Sequence, residues 1–130
     1  MNTSNLFHSH ESDSKIMIKK DMDEVINWVD DLEYINEELE YLLEIEDRML
    51  NNAALYEELQ DLQRENNLNL RTLNLYNGAI RGAIECDTIE CDSFYLSKHE
   101  RNRKLYLNHK IKYRNVKSKL LSNILLEAKH

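Results

Sequence analysis

Proline is absent and glycine occurs only at Gly78 and Gly82 in a chain of 130 residues, and this omission constrains the fold more than any motif does. Tight turns and strand ends are built on these two residue types. A chain almost without them folds most readily into a few long helices joined by short connections. The length suits one domain with a single core.

The apolar residues carry a helical period. Val25, Trp28, Leu32, Ile35, Leu39, Leu42 and Met49 recur in alternating steps of three and four, broken only by Glu46, with Val29, Leu43 and Leu50 widening the stripe. This predicts helix 1 over about 21–50, preceded by a flexible, aperiodic tail at 1–20. Asn51-Asn52 is the first turn, because Asn tolerates left-handed backbone and caps a following helix. Helix 2 is expected over about 53–85, with a seam of Leu55, Leu59, Leu62, Leu73, Tyr76, Ile80 and Ala83 interrupted by Asn66 and Asn69. A second turn falls in the duplication Ile84–Asp92, and helix 3 follows over about 93–128. Its seam reads Tyr95, His99, Asn102, Tyr106, His109, Tyr113, Val116, Leu120 and Ile124.

Short connections between long helices imply antiparallel neighbours. The expected fold is therefore all-α, an up-down-up three-helix bundle with coiled-coil-like helices forming one domain over 21–130. Folding the chain about its two turns brings Asn66, Asn69 and His109 to one level, a buried polar layer that fixes register at some cost in stability. Size and the single Trp28 near the start of helix 1 resemble spectrin-type three-helix repeats. That resemblance implies the architecture and carries no function.

Charge is strongly polarised beneath the net value of −7. Residues 21–65 hold sixteen acids against two bases, whereas residues 97–130 hold ten bases against two acids. Such asymmetry serves either an intramolecular match between helices or a basic surface held out for a partner. On the heptad frame Glu24, Asp31 and Glu38 flank the helix 1 seam, while Lys98, Arg103, Lys110, Lys112, Lys117 and Lys119 flank that of helix 3. Rim ion pairing between the parallel helices 1 and 3 is the simpler account. The competing account is a nucleic-acid or ribosome-binding face formed by Lys98, Arg101, Lys104, Lys110 and Arg114.

The motifs for catalysis are weak. A Glu three residues before a His, the spacing of di-metal bundles, occurs once, at Glu127 and His130. Cys86 and Cys91 would point about 140° apart on a helix and read as reduced structural thiols, with a redox pair or a metal site as lesser alternatives. His109 and Lys112 have a spacing similar to that of histidine phosphotransfer domains, but Tyr113 stands where those domains place a small residue, and His109 lies on the buried seam. Gly78, Ala79, Gly82 and Ala83 suggest packing room for Trp28.

One further stripe is unexplained by the core: Leu107, Ile111, Leu121 and Leu125 lie off the helix 3 seam. Such residues need a cover, and a second copy is the simplest one. With no basic leader followed by an apolar run and no apolar stretch of membrane length, the reading is a cytoplasmic interaction or adaptor protein. It has no expected catalytic activity, cofactor or metal. Its expected partner is another protein or itself, as a homodimer.

Overall fold

The computed structural model describes the backbone of residues 3–84 and 89–128, and the side chains of 16–80, 82 and 95–128. Three helices follow in order: α1 Thr3–Met49, α2 Ala53–Ile84 and α3 Ile89–Ala128. All three pack on one another as a three-helix bundle, with no strand among the described residues.

The core is the expected seam. Val25, Leu32, Ile35, Leu39 and Leu42 of α1 close on Leu55, Leu59, Leu62, Leu73 and Ile80 of α2 and on Leu120 of α3. Tyr95, Tyr106 and Tyr113 supply most of the remaining wall from α3, where tyrosine replaces aliphatic residues. Tyr95 and Tyr106 can be buried there because their hydroxyls reach Asp21 and Asp31 at the rim, whereas the buried Tyr113 hydroxyl has no hydrogen-bond partner among the described residues. Met49 departs from the expected seam. It is the last residue of α1, where the helix ends and its side chain turns outward.

The first turn forms where Asn51-Asn52 predicts it. Asn51 adopts φ 57°, the left-handed region that Asn enters at low cost. The carbonyl of Glu46 accepts the amides of both Leu50 and Asn51 at 3.0 and 2.9 Å, and the Asn52 side-chain oxygen caps α2 through the Leu55 amide at 3.2 Å. Glu46, which looked like a break in the seam, is buried there because its carboxylate accepts the Asn52 amide at 2.5 Å.

Two boundaries differ from expectation. α1 starts at Thr3 instead of about Asp21, so the backbone of most of the presumed tail is helical. The segment lacks a period but also lacks Pro and Gly, and once Ile18 and Met22 pack on the core each added helical turn costs little. α3 starts at Ile89, four residues before the expected Ser93. The expected turn chemistry at Glu85–Thr88 lies outside the described residues, as do the side chains of Cys86, Cys91 and His130.

Candidate interaction surface

Charged rim residues line the contacts of α3 with both other helices. Arg103, Lys110 and Lys117 meet Glu24, Asp31 and Glu38 of α1 at 2.7, 3.3 and 2.5 Å. Both series advance by seven residues, so α1 and α3 run parallel with matched heptads. On the other flank Lys112 meets Glu65 and Lys119 meets Glu58, each at 3.2 Å; here the order is reversed, as antiparallel α2 and α3 require. Five bases of α3, namely Arg103, Lys110, Lys112, Lys117 and Lys119, are thus matched internally. Each pair is partly exposed and contributes little alone, but together they favour the basic α3 over an acidic helix as the neighbour of α1.

Above this ladder lies an aromatic and polar cluster. Trp28, buried as expected, has its ring centroid 5.2 Å from that of His99 and 5.5 Å from that of Tyr106. Tyr76 and Tyr95 flank the same imidazole. His99 Nδ1 pairs with the Tyr76 hydroxyl at 2.7 Å, and Nε2 pairs with Glu24 at 3.0 Å. Tyr95 donates to Asp21, and Tyr106 donates to Asp31 at 2.5 Å. Burial raises the hydroxyl pKa of Tyr76, Tyr95 and Tyr106, and the neighbouring carboxylates raise it further, so all three stay protonated donors. Burial also pushes the Glu24 carboxyl up, but hydrogen bonds from Arg103 and His99 outweigh it and leave the carboxyl below its ordinary value.

Asp21, Glu24 and His99 have potential metal-donor atoms within 4.8 Å of one another, the one such trio among the described residues. Sequence reading missed it, because only the α1–α3 register brings Asp21 and Glu24 to His99. The trio is already closed by hydrogen bonds. Arg103 binds the same Glu24 oxygen through Nε and Nη2 at 3.0 and 2.7 Å, setting a fixed cation beside the position a metal would take. Tyr95 holds Asp21. The arrangement works as a polar clasp at one end of the bundle.

His109 is enclosed, 1% exposed, with Nε2 2.9 Å from the Asn66 side-chain oxygen. A phosphate donor has no path to an imidazole so placed. Asn69 is buried too. Gly78 and Gly82 are also not packing room for Trp28: a Cβ at either would meet nothing within 4 Å. Both lie on an outward face of α2, which corrects the close-approach reading. The open crevices by the first turn, lined by Met49, Leu50, Asn52, Asn123, Ile124 and Leu126, carry a single ionisable side chain, Glu127.

The outer face of α3 remains. Leu107, Ile111, Leu121 and Leu125 are 47%, 55%, 42% and 66% exposed. Leu107 and Ile111 each sit two residues from His109, about 200° round the helix, and so point directly away from the core. Of the five bases proposed for nucleic acid, Lys110 is held by Asp31, and Lys98 is half-buried with interactions of its own. Arg101, Lys104 and Arg114 are exposed and share the outer side of α3 with the leucines.

Comparison with family models, curated proteins and solved structures finds no match. No helix among the described residues is long and apolar enough to cross a membrane. The functional reading therefore rests on the geometry alone.

Proposed function

We propose that this chain is a cytoplasmic, non-catalytic interaction module, a coiled-coil-like bundle that self-associates through the outer face of α3. The observation that carries this reading is the exposure of Leu107, Ile111, Leu121 and Leu125 on the side of α3 opposite the core. Removing four half-exposed aliphatic side chains from water contributes roughly 1 kcal/mol each, doubled across a two-fold contact. That total is comparable with the about 4–15 kcal/mol that association costs, so the expected dimer is weak and concentration-dependent.

The non-catalytic part of the proposal is supported by the way the ionisable clusters are used. His99, Glu24 and Asp21 are spent on the clasp, and His109 is spent on Asn66. The basic face is reduced to three bases without a side-chain partner among the described residues, set among leucines, which suits a protein surface better than a phosphate track.

Light scattering over a range of concentrations tests the proposal. The expected mass rises from 15.5 kDa towards twice that value, and Leu107→Lys/Ile111→Lys holds it at the monomer value while circular dichroism stays helical. A wild-type mass fixed at the monomer value overturns self-association. Tight binding of the wild type to a single-stranded oligonucleotide, lost in Lys104→Glu/Arg114→Glu, would favour the nucleic-acid reading instead.

A further inference from the structure

We infer that the surface covering α3 is the acidic outer face of α1 on the second copy. This rests on the preceding reading that α3 is a self-association surface, and it adds which part of the partner is engaged. The alternative, α3 on α3, sets Lys104 and Arg114 of one copy against the same residues of the other. Between Tyr95 and Ala128 the only acids are Glu100 and Glu127. Glu100 is engaged by Arg103, and Glu127 lies a full two turns beyond Leu120, so neither relieves the repulsion around Leu107 and Ile111.

The chain carries a face of the opposite character. Asp30, Tyr34, Glu37, Tyr41 and Glu44 each follow by two residues a buried side chain of α1, namely Trp28, Leu32, Ile35, Leu39 and Leu42. They therefore form a ridge pointing away from the core, on which Arg48 engages Glu44 at 2.6 Å and leaves Asp30 and Glu37 as its outward acids. Tyr34 and Tyr41 are 61% and 67% exposed, a large aromatic area with no cover in the monomer. Acids alternating with exposed tyrosines on α1 complement Lys104 and Arg114, which flank the exposed Leu107 and Ile111 on α3, in both charge and apolarity. Because α1 and α3 run parallel within the bundle, a two-fold axis along it sets α3 of each copy on α1 of the other. The contact is then made twice and closes.

Two charge-reversed variants test the inference by light scattering in low salt, with helicity checked by circular dichroism. Asp30→Lys/Glu37→Lys alters only the α1 ridge, and Lys104→Glu/Arg114→Glu alters only the α3 face. Each alone is expected to fall to the 15.5 kDa monomer. An equimolar mixture is expected to recover a mass near twice that, because both contacts regain opposite charges only in the mixed pair. An α1 variant that keeps the wild-type dimer mass overturns the inference while leaving self-association through α3 standing. A monomeric wild type sinks both.

Discussion

Asn66 of α2 and His109 of α3 share a 2.9 Å hydrogen bond at the middle of the bundle, and the Asn66 amide nitrogen donates to the Leu32 carbonyl of α1 at 2.8 Å. The Leu32 bond fixes the amide orientation. The Asn66 oxygen must then accept, so His109 carries its proton on Nε2. One amide thus ties all three helices at a single level, with both side chains enclosed.

Removing Asn66 alone should be costly, because the Nε2 proton of His109 is left buried without an acceptor. Asn66→Leu is expected to destabilise by about 1–3 kcal/mol in chemical denaturation. The pair Asn66→Leu/His109→Leu should recover much of that loss, since two apolar residues leave no orphan. A double variant no better than the single one would show that packing, not polarity, governs the site.

Burial lowers the His109 pKa below its ordinary 6.5, against a smaller opposing pull from Glu65. A histidine with a depressed folded value binds protons more readily when unfolded. Its contribution is complete above about pH 6.5 and is lost as the pH falls towards the folded value. Urea midpoints should therefore decline between pH 7 and 5.5, and the decline should be shallower in His109→Gln. Glu24, lowered by Arg103 and His99, adds a separate loss only below its ordinary 4.5. Parallel curves for wild type and His109→Gln would remove His109 as the cause.

Trp28 is 6% exposed between His99 and Tyr106. Trp28→Ala is expected to cost about 3–5 kcal/mol through lost burial and a cavity that the rigid ring stack cannot close. Trp28→Phe should keep most of this stability. A cost below about 1 kcal/mol for Trp28→Ala would mean that the cluster collapses onto the space.

The helices, the Asn51 turn and the α1–α3 ion pairs were legible in the sequence because each depends on period and spacing alone. Glu24, Asp31 and Glu38 repeat every seven residues, as do Arg103, Lys110 and Lys117, so parallel packing can bring the two series together rung by rung. The Asp21–Glu24–His99 clasp was not legible, since it depends on a helix register that sequence spacing within one helix cannot give. Gly78 and Gly82 misled for the opposite reason. Small residues at a four-residue spacing permit close approach but do not require it, and here the face carrying them is turned to solvent.

That correction carries its own test. Glycine inside a helix is worse than alanine by about 1 kcal/mol, and nothing lies within 4 Å of either added Cβ. Gly78→Ala and Gly82→Ala should each stabilise by about 0.5–1 kcal/mol, and the two gains should nearly add. A loss of stability at either position would show that something packs on this face.

The α1–α3 register is tested most directly at Glu38 and Lys117, 2.5 Å apart and partly shielded from water. Glu38→Lys places a second ammonium against Lys117, and Lys117→Glu places a second carboxylate against Glu38, so each single change should cost about 0.5–1 kcal/mol in low salt. The swap Glu38→Lys/Lys117→Glu restores opposite charges only if the two positions still face each other. It should therefore recover most of the loss, with a coupling of about 0.2–1 kcal/mol. Because the pair lies at the rim, the coupling should shrink towards zero in about 1 M salt. Simple additivity of the two single costs in low salt would mean that α3 does not sit on α1 in matched heptads.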